Sequence, residues 1–144
     1  MNYSEMEVDI QIVENRIDIE KLYGWAAADE AGSIVTFTGT VRKFTQGKEV
    51  IDLEFESYIP MAIKELQKIV EDIGNSHQLL KVAVHHRVGQ LTIGEIPVYI
   101  IVTSAHRAEG FVACKYIIDT LKQTVPIWKK EIFADGEIWV AAHP

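Results

Sequence analysis

A single thiol, Cys114, is present in the 144 residues, so neither an intrachain disulfide nor a Cys-rich zinc site can form. Long apolar runs are missing as well. Nothing approaches the ~18 residues of a membrane span, and the opening MNYSEMEVDI has neither the basic nor the apolar region of a secretory leader. A cytoplasmic protein with no membrane partner is the expectation. Basic residues are scarce: 14 Lys and Arg stand against 21 Asp and Glu, a formal charge of −7. That sign argues against non-specific nucleic-acid binding, which draws on clustered Lys and Arg. The phosphate-loop, dinucleotide, nucleophile-elbow and zincin patterns are all absent. Without linkers, low-complexity tracts or repeats, residues 1–144 read as one domain.

What is there is an ordinary globular composition, 48% apolar and 24% charged. Residues 7–13 alternate as a strand, and Asp18 is placed to cap a short helix bearing Ile19, Leu22, Tyr23 and Ala26 and ending near Gly32. Residues 33–41 form a β-branched strand. In residues 50–58, Ile51, Leu53 and Phe55 are expected inward and Asp52, Glu54 and Glu56 outward, the pattern of an antiparallel sheet with one wet face. Pro60 opens a helix closed by Gly74. Strands at 79–88 and 96–103 flank a hairpin loop with Gly89 and Gly94, a helix runs from about Ala108 to Thr124, and Gly136–Ala141 closes the chain as a strand. The order β-α-β-β-α-β-β-α-β predicts an α+β fold, mainly antiparallel, with three helices packed on the sheet.

Against the acidic background, five cations stand out at four places: Arg42, the pair His106 and Arg107, Lys122, and Lys129. Keeping them near Phe37, Val41, Phe111, Ile127 and Trp128 costs desolvation, which a ligand or carboxylate offsets. The pattern predicts an anion-handling pocket for a phosphorylated small molecule. On a wheel of about 100° per residue, with Phe111 at the origin, Lys122 falls at about 20°, on the apolar stripe. Such a lysine either snorkels to water or lines a cavity. Lys115 and Asp119 border the same edge and are spaced to form a surface pair. Residues 125–131 read as an irregular segment fixed by Pro126 and anchored by Ile127 and Trp128, from which Lys129 and Lys130 project. Two lysines before Glu131 are either a solvated face or a site. If two ammonium groups lie close, each lowers the other's pKa, which suits proton transfer.

His106 and Arg107, at a strand end before a helix, either bind an anion or leave Arg107 paired with Glu109. His85 and His86 point to opposite faces of a strand, and no further metal ligands accompany them, so both read as structural. Gly39 in TFTGTVR permits close backbone approach or a bulge ahead of Arg42. Cys114 reads as core.

Together GSIVTFTGTVR, LEFESY followed by MA, HRVGQLTIGE, SAHR-x-x-x-F, and K-x-x-x-P-I-W-K-K-E with DG-x-x-W-V cover nearly all of residues 30–140, in order. In this combination the sequence resembles the large, catalytic subunit of molybdopterin synthase. The resemblance implies a hammerhead-like fold and a definite reaction: cyclic pyranopterin monophosphate receives two sulfur atoms and becomes the dithiolene of molybdopterin. The donor it implies is a thiocarboxylate on the C-terminal Gly-Gly tail of a small ubiquitin-like subunit. The assembly would be a homodimer of this chain within a heterotetramer, and no metal or organic cofactor is needed. By match to the family motifs, Thr40, Val41, Arg42, His106, Arg107, Lys122, Lys129, Lys130 and Glu131 would line the substrate site. Lys122 would be the foremost catalytic residue and Lys129 the second, with Glu131 orienting the lysines. The alternative is a non-catalytic module that captures a phosphorylated metabolite or a partner's C-terminal tail. A purely structural subunit is a third reading, and it leaves Lys122 unexplained.

Overall fold

The β-branched runs of this chain build two sheets. A computed structural model describes residues 5–143. Its elements are β1 (Glu7–Val13), α1 (Ile19–Trp25), β2 (Ser33–Gly39), β3 (Phe44–Thr45), β4 (Lys48–Ser57), α2 (Ile59–Ser76), β5 (Lys81–Arg87), β6 (Gly89–Leu91), β7 (Val98–Ser104), α3 (Arg107–Thr124), β8 (Ile127–Phe133) and β9 (Ile138–Ala141). The first sheet has the order β1-β5-β7-β2, and the second runs β3-β4-β8-β9 with β6 added against β4. Among the described residues only the β1–β5 ladder is parallel; the others are antiparallel. The chain is α+β with mainly antiparallel sheets and three helices.

Both faces of the first sheet are covered. Leu66, Ile69 and Val70 of α2 and Ala113, Ile117 and Leu121 of α3 share one core with Val82, Val84, Ile100 and Val102. On the opposite face, Ile17, Leu22 and Ala26 pack with Ala83, Tyr99 and Ile101. This explains why every residue of β7 is buried and why its sequence, VYIIVTS, does not alternate. The Asp18 cap forms as expected, its carboxylate accepting from the Lys21 amide at 3.1 Å, but the helix stops at Trp25, well before Gly32. Pro60 sits in the first turn of α2, where a missing N–H costs nothing.

Three expectations are corrected. The ladder between β4 and β8 carries an irregularity between Val50 and Asp52, which moves the strand out of phase: Val50 is buried and Ile51 is 53% exposed. Of residues 125–131, expected as an irregular segment, 127–131 belong to strand β8, which runs on to Phe133 and is paired on both sides, and Trp128 is 40% exposed, so it does not anchor them. The loop between β5 and β7 contains β6, which pairs with β4 and so stitches the first sheet's hairpin to the second sheet.

Candidate active site

The pocket of interest lies between the two sheets and the C-terminal half of α3. It encloses about 430 Å³ and is lined by Phe37–Arg42, Thr45, Val50, Leu53, Phe55, His86, Pro97, Val98, Ile118, Leu121, Lys122, Lys129 and Glu131. Each element supplies its residues for a local reason. At the end of β2, Gly39 lets the chain pass against Val98, since a Cβ there would lie 2.6 Å from Val98 Cγ1. The chain then continues through Thr40 to Val41, whose amide donates to the Glu95 carbonyl at 3.0 Å and whose carbonyl accepts from the Gly94 amide at 3.0 Å. Val41 is thereby buried and Arg42 is left exposed beside the pocket.

Period-two alternation sorts β8. Ile127, Glu131 and Phe133 are buried on one face, and Lys129 shares that face and lines the pocket. Lys130 falls on the other face, opposite Glu54 and Val140, and does not line the pocket. Glu131 is 8% exposed. It accepts from the Thr45 hydroxyl at 2.6 Å and stands 3.6 Å from the Lys129 ammonium. The carboxylate thus ties the β3 turn to the pocket and fixes one lysine.

Helix α3 supplies Lys122. Its buried residues are Gly110, Ala113, Cys114, Ile117, Ile118 and Leu121, so the apolar stripe is centred away from Phe111, which is 61% exposed. Lys122 is at the margin of the stripe rather than on it, open to solvent along part of its length and directed to the cavity. Burial, followed by repulsion from Lys129 and then Arg42, holds its pKa below the ordinary lysine value. Lys122 and Arg42 have no carboxylate partner among the described residues; Glu131 is engaged with Lys129 and Thr45. The pocket therefore presents three cations and one committed anion, an arrangement that is relieved when a ligand brings negative charge.

His106 and Arg107 are elsewhere. They line a separate cleft with Gly32, Ala105, Ala108 and Phe111 at the N-terminal end of α3. Arg107 forms no ion pair with Glu109 among the described residues, so that alternative is set aside. Fifteen residues of helix separate Arg107 from Lys122, about 22 Å at 1.5 Å per residue. One chain does not bring the two groups together. Cys114 is buried, and burial pushes its thiol up to about 11, the behaviour of a core residue. Lys115 and Asp119 make the expected surface pair at 2.6 Å. His85 bonds Asp9 at 3.1 Å, outside the pocket. The described residues contain no group of three or more His, Cys, Asp or Glu side chains arranged to hold a metal ion. Thr45 and His86 are pocket residues that sequence reasoning missed. Strand alternation carried the signal for His86, which shares its face with Val82 and Val84.

Comparison with known proteins fits this geometry to a family. The family model described as MoaE protein matches residues 12–124. This chain belongs to that family. A relative from Arabidopsis thaliana named molybdopterin synthase catalytic subunit is 45% identical over 132 residues, covering 90% of this chain and 67% of that protein. One of the same name from Bacillus subtilis is 44% identical over 130 residues, covering 90% of this chain and 83% of its own length. Among solved structures, molybdopterin synthase from Staphylococcus aureus superposes with a TM-score of 0.85 at 39% identity, spanning 92% of this chain and 96% of that one. The match to the MoaE family takes in Arg42, His86, His106, Arg107 and Lys122; Lys129 and Glu131 lie beyond residue 124.

Proposed function

We propose that this chain is the catalytic subunit of a molybdopterin synthase. It moves sulfur from a thiocarboxylated C-terminal Gly-Gly tail of a small ubiquitin-like subunit onto cyclic pyranopterin monophosphate. The observation that carries the reading is the pocket's charge imbalance: among the described residues Lys122 and Arg42 lack counter-charges and Lys129 has Glu131 alone. Both reactants are anionic, one through its cyclic phosphate and the other through its thiocarboxylate. The relatives' shared name, catalytic subunit, supports a companion chain as the donor.

In this reading the Lys122 ammonium first pairs with the thiocarboxylate. The sulfur attacks a substrate carbon, the C–S bond forms as a C–O bond breaks, and Lys122 gives its proton to the departing oxygen. A lowered pKa makes that donation easier at neutral pH. Water then cleaves the acyl–sulfur bond, which leaves the sulfur on the pterin and returns the tail as a carboxylate. Lys129, held by Glu131, is the second proton-transfer group, while Thr40, Val41 and Arg42 shape the phosphate side. Lys130, facing away within one chain, serves the incoming partner rather than the reacting atoms. With α3 between them and Lys122, His106 and Arg107 serve the phosphate from the neighbouring copy of a homodimer, inside a heterotetramer with two small subunits. A cytoplasmic setting belongs to the same reading; among the described residues no helix is long and apolar enough to cross a membrane.

The direct test mixes this chain with a thiocarboxylated small subunit and pyranopterin phosphate. A dithiolene product is expected, and its absence with every component folded would overturn the reading. Truncating the Gly-Gly should abolish turnover while calorimetry still detects the complex, because an apolar interface rather than the tail supplies most of the affinity.

A further inference from the structure

The mechanism above leaves His86 unused, although it lines the pocket. The ring is 1% exposed and stands edge-on to Phe55, with centroids 5.1 Å apart at 80°. Its Nδ1 lies 2.7 Å from the Arg87 carbonyl oxygen. A carbonyl only accepts, so Nδ1 carries the proton. Burial, opposed by the Arg87 bond and helped by the Lys122 charge, lowers the ring's pKa to about 4, so at pH 7 the imidazole is neutral. Nε2 is then a bare acceptor, and it has no hydrogen-bond partner among the described residues. The ring lines the pocket, and among the described residues Arg87 Nε, not His86 Nε2, is the fully buried side-chain atom left without a partner.

A bare acceptor gains nothing from a phosphate or a thiocarboxylate, whose atoms also accept. It requires an N–H or O–H donor. Phe55 stands edge-on to the His86 ring and Val98 is its partner across the sheet, so apolar walls suited to a flat ring flank it, with the Lys122 charge within electrostatic reach. We propose that His86 Nε2 accepts an N–H of the substrate's reduced pterin ring, selecting the heterocycle while Arg42, Lys122 and Lys129 handle the anions. The inference rests on the synthase reading and adds to it the residue that recognises the base-like half of the substrate.

His86→Phe keeps a ring against Phe55 and removes the acceptor; His86→Gln restores one. In the assembled synthase, His86→Phe should raise KM for pyranopterin phosphate about tenfold, the size of one lost neutral hydrogen bond. The saturating rate should be largely kept, the dissociation constant for the small subunit unchanged, and most of the loss recovered in His86→Gln. An unchanged KM in folded His86→Phe, with the native protein active, overturns this inference and leaves the synthase reading standing. Weaker partner binding at unchanged KM assigns Nε2 to a tail amide instead and also overturns it. An inactive native protein removes the synthase reading and this inference together. Should His86→Phe fail to fold, nitrogen NMR of the native protein decides: the Nε2 resonance should move from the bare-acceptor position when pyranopterin phosphate is added, and a resonance that stays still refutes the contact.

Discussion

The two ends of α3 hold cations in opposite circumstances. At the C-terminal end, Lys122, partly open to solvent, reaches into the pocket with Lys129 and Arg42 nearby, and partial burial plus like charge holds its ammonium's pKa down. At the N-terminal end, His106 and Arg107 are exposed on a cleft whose other walls are Gly32, Ala105, Ala108 and Phe111. That cleft depends on close packing of backbone: a Cβ on Gly32 would overlap the Ala105 carbonyl oxygen. The difference separates two tasks that charge alone does not distinguish. A cation that must give up a proton needs desolvation and like-charged neighbours, whereas one that only holds a phosphate works best fully ionised and within reach of solvent.

If that division is right, the Lys122 end controls rate and the Arg107 end controls affinity. The largest effect should come from Lys122→Ala, a fall of ~10²-fold or more in the single-turnover rate with the fold intact. Lys122→Arg should not rescue it, because an arginine keeps its proton; full turnover in Lys122→Arg would remove proton transfer from Lys122 and leave it a charge-holding role. Arg107→Ala should act on binding, with a ~10-fold or greater rise in the dissociation constant for pyranopterin phosphate and no change for a phosphate-free analogue. Mixing Arg107→Ala with Lys122→Ala chains should regain activity at about a quarter of the sites, since half of random dimers are mixed and each has one intact site. No recovery would mean that both ends serve within a single chain.

A smaller effect is expected in the pH profile. If Lys122 acts as an acid, activity falls as pH rises through its lowered pKa. Lys129→Gln removes a repelling charge, so the Lys122 pKa should rise and the basic limb of the profile should move to higher pH. Burial, the larger cause, persists in that variant, so the limb should stop short of the ordinary lysine value. The smallest effect belongs to the middle of α3. Asp119→Ala breaks an exposed i,i+4 pair with Lys115 and should cost about 0.5 kcal/mol or less by thermal or denaturant melts, without touching turnover.

Sequence legibility followed how local each interaction was. The Asp18 cap, the Pro60 helix start and the Lys115–Asp119 pair depend on neighbours within four residues, and all three appear in the structure. The helix wheel for α3 misjudged Phe111 because the stripe's centre is set by packing on β2, β7 and α2, which no single segment encodes. Strand β8 was hidden for the same reason: IWKKEIF follows a proline and carries three adjacent charges, and it becomes a strand only because β4 and β9 flank it. Ile51 went astray through a ladder irregularity that alternation cannot foresee. Among candidate site residues, Thr40, Val41, Arg42, Lys122, Lys129 and Glu131 converge on one cavity, while Lys130, His106 and Arg107 do not. Spacing along a chain reveals which groups are chemically unusual, but only the assembled sheets reveal which of them meet. His86 shows the converse: with no metal ligands to accompany it, it read as structural, yet it lines the cavity.

The position of β8 between β4 and β9 has a consequence for how this sequence can change over time. Facing one another across those ladders, Lys129 pairs with Phe55 and Glu131 with Leu53. Inserting or deleting one residue between Pro126 and Glu131 would turn the strand by half a pleat, carrying Lys130 inward and Glu131 out. A lysine would still occupy the cavity, so a simple charge count would look unchanged, yet the carboxylate that grips Thr45 would be gone. Length variants should therefore accumulate in the loops around Gly47, Gly94 and Gly136 and be purged from this stretch, even though its two consecutive lysines look interchangeable.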